Sequence, residues 1–386
     1  MPSARPRRAL AAVAAAVATL ALTACSADSI AGEQEGEGPG SDSEVVSAAP
    51  FNVALRLDDQ GGQVPVDSPV RVKAEHGTLD QVVAYRGERA SGATMAGDLS
   101  SDGVWTLQDD LEPGRTYTVV STGTSDDGDR RTVRDTFATD RLTLDEQTYP
   151  SVAPLAGETV GVGMPVIVTF DIPVTDRESI ERHLSVRSSP RMEGSWHWLS
   201  DTEVHYRPRT FWPTGTDVAV DVDINSVDAG NGIYGQMSRK VSFEVGDSVI
   251  STINVDTHQM RVDINGQTAR TVPISAGKAG FETRGGTKLI IEKFESKRMD
   301  AATTGIQPGD PEYYNIANVQ YAMRVTYSGE FLHAAPWSVG SQGYANVSHG
   351  CVGMSTENAA WLYGLSHRND VVRVVGSDRP LEQGNG

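Results

Sequence analysis

The chain has 386 residues, of which 38% are hydrophobic, and a formal net charge of −18 at pH 7. This length is enough for about two or three domains whose cores need no disulfide or metal. The excess of acidic residues falls within residues 26–248, and the chain has no stripe of clustered Lys and Arg, so its composition argues against nucleic acid as a partner.

The N-terminus has the features of an export signal. Three arginines within the first eight residues precede an apolar run of about 15 residues, shorter than the ~20 needed to span a bilayer. The run ends in "LTAC" at residues 22–25, which resembles the site where a bacterial lipoprotein is cleaved and its cysteine lipidated. We therefore expect residues 1–25 to be a lipoprotein signal, and Cys25 to anchor the protein by lipid to the extracytoplasmic face of the cell membrane, in the cell envelope.

Residues 26–50 are predicted to form a flexible acidic tether. They contain six acidic residues, no basic residue and almost no bulky apolar side chain. Such a segment cannot bury enough surface to offset the entropy of ordering the chain.

The next two regions, residues 51–139 and 140–248, are each predicted to form a β-sandwich. In the first, short alternating runs such as "PVRVKA", "GVWTL" and "TYTVVSTG" are separated by Gly, Pro and Asp-Gly turns, and no helix is indicated. A weak repeat follows about 100 residues later, where "PVRV" is echoed by "PVIV" and a Trp and a Pro/Gly turn recur in the same order. Both regions resemble bacterial immunoglobulin-like domains.

Two histidines of the second region, His197 and His205, lie on either side of a predicted turn. Two imidazoles at this spacing are compatible with a metal site, but ordinary strand histidines are far more common. We expect ordinary strand residues here, with a metal pair as the alternative.

Residues 249–376 are predicted to form a further β-rich domain, followed by a tail of residues 377–386. Asn265-Gly266 lies between two alternating apolar runs and predicts a tight hairpin. Further strands are indicated at "GTKLIIEKF", "VQYAMRVTYSG" and "DVVRVV". The segment "STENAAWLYGLSHR" predicts a short helix that Ser355 caps and that carries basic residues in its last turn.

The second cysteine of the chain, Cys351, lies in "NVSHGCVGM". If Cys25 carries lipid, Cys351 has no disulfide partner. A free cysteine is commonly a small buried core residue, but a thiol near a histidine can also be a nucleophile, because the imidazole can take its proton. His333 is the candidate base, and the amides of Gly350 and Cys351 are candidates to bind an oxyanion.

The longer pattern "HAAPWSVGSQGYANVSHGC" closely resembles the catalytic signature of the L,D-transpeptidases, cysteine enzymes that cross-link peptidoglycan. The likeness extends over about residues 249–376 and includes "SAGK" at residues 275–278, "RMD" at residues 298–300 and "STENAAWLY". It implies a mostly β protein, in which two immunoglobulin-like β-sandwiches precede a β-rich L,D-transpeptidase catalytic domain with a short helix after the catalytic cysteine.

The resemblance also implies roles for individual residues. Cys351 is the nucleophile and His333 is its base, with the imidazole oriented by the main-chain carbonyl of Ala334. Ser348 and His349 shape the pocket. Trp337, Met299 and Tyr314 are expected to contact substrate, each with a place in the core as its alternative, and Asn346 is a further residue expected to contact substrate.

The sequence departs from the family's pattern at two places. Gly353 stands two positions after the cysteine, where the family usually has a polar residue such as Asn or Arg. The spacing between the family's tyrosine and the catalytic His is shifted by one, so Tyr313 is an alternative to Tyr314.

The reaction that the resemblance implies begins with attack of the thiolate on the third residue, usually diaminopimelate, of a tetrapeptide stem. D-Ala leaves, a thioester forms, and an amine of a neighbouring stem takes the acyl group. No cofactor or metal is expected, and carbapenem β-lactams are the expected covalent inhibitors. The alternatives are an L,D-carboxypeptidase, in which water replaces the amine, and a non-catalytic wall-binding lipoprotein, against which the presence of Cys351 and His333 argues.

Overall fold

The structure, a computed structural model, describes residues 51–57 and 63–385. The predicted signal, the acidic tether and the lipidated Cys25 lie outside these residues. Strands dominate the described ranges, as the sequence predicts, and no helix there is long and apolar enough to cross a membrane. We name the three successive β-rich parts the first sandwich, the second sandwich and the C-terminal domain.

The first sandwich consists of two four-stranded sheets that enclose one apolar core. Its strands are β1 (Asn52–Arg56), β2 (Arg71–Glu75), β3 (Gly77–Arg86), β4 (Thr94–Met95), β5 (Gly97–Leu99), β6 (Val104–Leu107), β7 (Thr116–Ser125) and β8 (Arg130–Ala138). The strand orders are β1-β2-β6-β5 and β4-β3-β7-β8. Val72, Trp105, Tyr117 and Val119 are each at most 3% exposed, because alternate residues of β2, β6 and β7 point inward. The three runs that predict strands here are therefore confirmed.

The second sandwich repeats this architecture, with orders β10-β12-β15-β14 and β11-β19-β16-β13 and a small third sheet, β17-β18-β9. These strands are β9 (Gln147–Thr148), β10 (Pro150–Ala153), β11 (Thr159–Val160), β12 (Val166–Phe170), β13 (Leu184–Ser189), β14 (Gly194–Trp198), β15 (Glu203–Pro208), β16 (Asp217–Val222), β17 (Asp228–Gly230), β18 (Ile233–Gly235) and β19 (Arg239–Val245). Helix α1 (Arg177–Arg182) is an element that the sequence did not predict, because six residues are too few to show an apolar period. Asp176 caps it by accepting from the Ser179 amide at 2.9 Å.

His197 and His205 are directly opposite each other on β14 and β15. The Nε2 atom of His205 lies 2.6 Å from Glu203 Oε1, and burial lowers the pKa of His205. No group of three His, Cys, Asp or Glu side chains that could hold a metal occurs in the ranges that the structure describes. Both histidines are therefore strand residues, and the metal pair has no third ligand within these ranges.

The C-terminal domain contains nine strands and one α-helix. They are β20 (Val249–Asn254), β21 (Gln259–Ile264), β22 (Gln267–Pro273), β23 (Gly286–Leu289), β24 (Glu292–Asp300), β25 (Asn315–Arg324), β26 (Phe331–Ala334), β27 (Val352–Met354), β28 (Val371–Val375) and α2 (Thr356–Leu365). Asn265 and Gly266 join β21 to β22 with φ values of 50° and 80°, which confirms the predicted hairpin. The run "GTKLIIEKF" forms parts of two strands, β23 and β24, rather than one.

Two sheets of the C-terminal domain, β22-β21-β20-β28-β23 and β24-β25-β26-β27, enclose a core with α2, which packs against β25 and β26. Fully buried members of this core include Ile253, Met260, Met323, Leu332 and Leu362. The predicted cap of α2 is confirmed, since Ser355 Oγ accepts from the Asn358 amide at 3.2 Å. The predicted basic last turn is wrong, because α2 ends at Leu365, before His367 and Arg368.

The second sandwich and the C-terminal domain share apolar packing. Leu289 and Val371 of the C-terminal domain belong to the core cluster of the second sandwich. The Gly161 amide donates to the Arg368 carbonyl at 2.6 Å, and a Cβ on Gly161 would lie 2.2 Å from the Asp370 amide. Glycine thus permits the close approach of the two backbones. The exact domain boundaries at 139, 248 and 376 stay predictions.

Candidate active site

Two adjacent parallel strands, β26 and β27, bring the predicted catalytic pair together. His333 on β26 is opposite Gly353 on β27, and Cys351 lies immediately before β27. Successive side chains of a strand point to opposite faces, so Cys351, two residues before Gly353, is on the same face as His333. The pairing of these strands therefore directs the thiol and the imidazole to one side of the sheet.

The imidazole of His333 is held in one tautomer by the backbone. Its Nδ1 atom lies 2.8 Å from the carbonyl oxygen of Ala334, and a carbonyl can only accept, so Nδ1 carries the proton. The Nε2 atom is then free to accept a proton. Burial lowers the pKa of His333, which keeps the ring neutral near pH 7 and suited to act as a base.

The thiol of Cys351 is in an apolar environment. It is 8% exposed and packs in a cluster with Met299 and Phe331, against which Tyr314 also packs. Burial raises the pKa of Cys351 to about 11, and Sγ donates to the carbonyl of Gly329 at 3.7 Å. The resting site therefore holds a neutral thiol, and a thiolate forms only when a base removes the proton.

A buried ion cluster that the sequence did not predict lies beside Cys351. Glu330 Oε1 accepts from the amide and from Nη1 of Arg284, both at 3.0 Å, and Oε2 accepts from Lys288 Nζ at 2.5 Å. Lys288 is fully buried, and burial lowers its pKa. A Cβ on Gly350 would lie 3.6 Å from Glu330 Oε1, so the cluster is directly behind the residue that precedes Cys351. A lysine within the apolar run "KLII" was the available signal.

Hydrogen bonds fix the turn that presents the cysteine. Gly350 has a φ of 116°, a value that requires glycine, and its carbonyl accepts from Thr283 Oγ1 at 2.8 Å. Ser348 Oγ accepts from the Gly350 amide at 3.1 Å and donates to the Cys351 carbonyl at 2.6 Å. Ser348 therefore shapes the pocket as predicted from its position. The Gly350 amide differs from the predicted oxyanion donor, because its hydrogen is already engaged by Ser348.

The aromatic residues of the site lie on two sides of it. Trp337 is 55% exposed and stacks on His333 with 5.9 Å between ring centroids. The ring of His349 lies 5.0 Å from that of Tyr314 and 4.7 Å from that of Phe281. These rings form walls that a peptide can lie against.

The structure distinguishes the two candidate tyrosines. Tyr314 packs against the Cys351 cluster, and burial raises its pKa to about 12, so its hydroxyl stays protonated. The hydroxyl of Tyr313 instead accepts from Asn315 Nδ2 at 3.2 Å. The geometry supports Tyr314 as the tyrosine of the cleft.

Both ends of the Asn346 side chain form hydrogen bonds within the C-terminal domain. Its Oδ1 accepts from the Ala276 amide at 3.0 Å and lies 3.0 Å from His258 Nδ1, while Nδ2 donates to the Val255 carbonyl at 2.9 Å. The side chain ties three segments of the domain together. Both ends of the amide are therefore engaged within the protein, and the contact of Asn346 with substrate stays a prediction.

The departure at Gly353 has a steric cause. A Cβ at this position would lie 2.8 Å from the Cβ of Ala335, closer than side-chain atoms approach. Ala335 is itself 2% exposed and cannot move aside freely. A side chain at position 353 would therefore meet Ala335 in this chain.

Sequence profiles of known families match both parts of the chain. The profile of the L,D-transpeptidase catalytic domain matches residues 248–374, and the profile of a bacterial Ig domain matches residues 61–228, across parts of both sandwiches. The chain is 37% identical over 318 residues to L,D-transpeptidase 2 of Mycobacterium tuberculosis, covering 81% of this chain and 75% of that protein. It is 38% identical over 226 residues to L,D-transpeptidase 1 of the same species, covering 58% and 84%.

Solved structures give the same result. An L,D-transpeptidase in complex with imipenem is similar with a TM-score of 0.52 and 37% identity, covering 60% of this chain and 99% of that one. An L,D-transpeptidase from Mycobacterium smegmatis is similar with a TM-score of 0.50 and 38% identity, covering 59% and 98%. Sequence identities of 37% and 38% to these two structures indicate a shared family as well as a shared fold.

Proposed function

The chain belongs to the L,D-transpeptidase family, and from that premise we propose that Cys351 is the nucleophile with which it cross-links peptidoglycan stems. The observation that carries this proposal is the hydrogen bond from His333 Nδ1 to the Ala334 carbonyl. It leaves Nε2 as an acceptor on the face of the sheet from which the thiol projects. A base oriented by a carbonyl rather than by a carboxylate suits a cysteine nucleophile, whose thiol is more acidic than a serine hydroxyl.

The first half of the proposed reaction forms a thioester. His333 Nε2 takes the Sγ proton, and the thiolate attacks the carbonyl carbon of the third stem residue, usually diaminopimelate. The tetrahedral intermediate collapses, the carbon–nitrogen bond to D-Ala breaks, and the imidazolium gives its proton to the leaving amine. The apolar cluster around Cys351 excludes water while the thioester waits for its acceptor.

The second half reverses these proton movements. An amine of a neighbouring stem attacks the thioester, His333 removes the proton of the attacking nitrogen, and the sulfur leaves as thiolate and is reprotonated. The product is a cross-link between two diaminopimelate residues. An L,D-carboxypeptidase would use water in this step, and analysis of the products by mass spectrometry distinguishes a cross-linked dimer from a free tripeptide.

We also propose that the protein acts in the cell envelope, anchored by lipid on Cys25. The support for this is the sequence of residues 1–25 and the place of the substrate outside the cytoplasm. Protein with Cys25→Ala is expected in the soluble fraction after cell disruption. A variant that still sediments with membranes argues for an uncleaved signal as the anchor.

Mass measurement of the intact protein after mixing with a carbapenem tests the nucleophile. We expect one adduct on wild-type protein and none on Cys351→Ala, which should stay folded because a methyl group in place of the thiol leaves only a small void. An adduct on the variant with unchanged mass gain would place the nucleophile elsewhere. The relative solved with imipenem makes this class of β-lactam the natural probe.

A further inference from the structure

A carboxylate of the protein, that of Glu312, contacts His349, which lies two residues before Cys351. Glu312 Oε2 lies 2.5 Å from Lys278 Nζ and 2.7 Å from His349 Nε2. Because a carboxylate only accepts hydrogen bonds, His349 Nε2 carries a proton and donates it to Glu312. Two donors, one of them with a full positive charge, thus converge on one oxygen atom of Glu312.

The two donors are held in place by the same backbone that holds the cysteine. The Lys278 amide donates to the Ser348 carbonyl at 2.9 Å, so the lysine is attached to the residue that precedes His349. The His349 ring is packed between Phe281 and Tyr314. The backbone of Lys278 and the ring of His349 are therefore attached to the segment that leads to Cys351, as a binding site requires.

Glu312 belongs to a different kind of element. It lies in the connection between β24 and β25, which is closed at its base by a hydrogen bond from the Ala301 amide to the Tyr314 carbonyl at 2.9 Å. Residues 307–311, immediately before Glu312, are all exposed. The carboxylate is thus carried by an exposed loop, while its two partners belong to the wall of the cleft.

We infer that Lys278 and His349 form a binding subsite for the C-terminal carboxylate of the donor stem, and that Glu312 occupies this subsite when no substrate is bound. The inference rests on the proposed function, which makes the donor a tetrapeptide whose last residue, D-Ala, is the leaving group. The carboxylate of that residue lies one residue beyond the carbonyl that Cys351 attacks, and it needs charge-assisted donors near the nucleophile. Lys278 and His349 supply them.

The subsite gives a physical reason for choosing a stem that ends at D-Ala. A longer stem would place a neutral amide where the carboxylate binds, and the charge of Lys278 would then be left without its counter-ion. Substrate binding exchanges one carboxylate for another, so the site is never without an anion. Glu312 lowers the apparent affinity for substrate, since it competes for the same donors.

The test compares two stems and four forms of the full-length protein. The stems are a tetrapeptide with a free D-Ala carboxylate and the same tetrapeptide with that carboxylate amidated, and the readout is release of D-Ala or its amide. Wild-type protein is expected to prefer the free acid by about 10- to 100-fold in kcat/KM. Lys278→Met should lose most of this preference, because the substitution of the lysine and the amidation of the stem remove the same interaction.

Glu312→Gln and a control complete the design. Glu312→Gln is expected to lower KM for the free acid, by about three- to tenfold, because the internal competitor is weakened. Lys240→Met removes a lysine that pairs with Asp221 at 3.1 Å on the second sandwich. This control should change neither the preference for the free acid nor its KM. Alkylation of Cys351 by iodoacetamide, a small neutral reagent, should proceed at the wild-type rate in all variants, which shows that the thiol is undisturbed.

The outcomes separate the subsite from the proposed function. If wild-type protein releases no D-Ala from the free acid, the proposed function itself fails. If it does so but accepts the amidated stem equally well, or if Lys278→Met loses the same factor with both stems, the carboxylate subsite is overturned. A rise in KM for Glu312→Gln would likewise overturn the inference and assign Glu312 to orienting His349.

Discussion

Lys288 and Glu330 form an ion pair that is almost wholly excluded from solvent, with 2.5 Å between Nζ and Oε2 and side-chain exposures of 0% and 5%. Burial is the main reason that the pKa of Cys351 is raised to about 11. The charge of Glu330 also raises this pKa, and the charge of Lys288 lowers it. The pair thus places two opposite charges beside one titrating thiol. Removal of the Glu330 charge and removal of the Lys288 charge should therefore shift the pKa of Cys351 in opposite directions.

Glu330→Gln is therefore expected to lower the pKa of Cys351, and Lys288→Met is expected to raise it. The rate of alkylation by iodoacetamide at pH 8, followed on the Cys351 peptide by mass spectrometry, should rise about tenfold in the first variant and fall about tenfold in the second. The double variant should return close to the wild-type rate. Lys293→Met, which removes a lysine that donates to the Tyr363 carbonyl at 2.8 Å, is the control and should not change the rate.

Both single variants remove one charge from a buried ion cluster, so each must first be shown to be folded by circular dichroism. Arg324→Gln is a second test of the same sign, because the charge of Arg324 also lowers the pKa of Cys351. It should slow alkylation, as Lys288→Met does. Slower alkylation in every variant, including Glu330→Gln, would mean that the cluster only supports the fold.

If His333 is the base, as proposed, its protonation sets the acidic limit of acylation. Burial lowers its pKa from the ordinary value of 6.5, so the imidazole stays neutral to lower pH than a solvated histidine does. The rate of carbapenem acylation should be constant as pH falls from 7.5 to about 6.5 and should decline only below that. In Trp337→Ala the ring that covers His333 is removed, and the decline should begin at higher pH. An unchanged midpoint in this variant would show that Trp337 does not shield the base.

His333→Gln is the matched test of the base itself. Glutamine keeps a polar side chain of similar length but cannot take the thiol proton at neutral pH. Acylation should be slower by roughly 10²- to 10⁴-fold, while the melting temperature changes little. A wild-type rate in this variant would remove His333 from the mechanism.

The glycine at position 353 and Ala335 should be coupled energetically. Gly353→Asn introduces a Cβ that would lie 2.8 Å from the Cβ of Ala335, and the overpacking should cost about 1–3 kcal/mol in the free energy of unfolding. Adding Ala335→Gly should recover part of this loss, since it empties the contested space. Urea unfolding of the four proteins in this cycle measures the coupling. Strictly additive losses would show that Ala335 is not what excludes a side chain at 353.

The strands, and the placement of Cys351 and His333 on or next to adjacent strands, were predictable from the sequence, because both depend on local signals. The hairpin at Asn265-Gly266 and the Ser355 cap are fixed by neighbouring residues, and the spacing of Cys351 and His333 is a property of one segment. Contacts between distant segments were not predictable in this way. Arg284 and Lys288, the partners of Glu330, lie more than 40 residues earlier in the chain. Nothing local in the sequence shows that the Asn346 amide bonds to Val255 and Ala276.

The shared core between the second sandwich and the C-terminal domain determines how the chain can be shortened. Leu289 and Val371 are 7% and 0% exposed, and both pack in the core of the second sandwich. Removal of residues 51–248 would expose them, at a cost of about 1.5–3 kcal/mol for each side chain. Removal of residues 51–139 leaves these contacts in place. We therefore expect the shorter deletion to keep the wild-type rate of carbapenem acylation in solution and the longer one to lower the melting temperature of the C-terminal domain.

The same pair of deletions tests why two sandwiches precede the catalytic domain. If they hold the active site away from the membrane, the 51–139 deletion should acylate normally in solution but form fewer cross-links in cells. Strands of about six residues make each sandwich at least ~20 Å long, so losing one shortens the reach by at least that distance. Analysis of cross-linked dimers from cells that carry the shortened protein measures this effect. Normal cross-linking by the 51–139 deletion would show that the first sandwich does not serve to hold the active site away from the membrane. An unchanged melting temperature of the C-terminal domain in the 51–248 deletion would contradict the stabilising role of the core that it shares with the second sandwich.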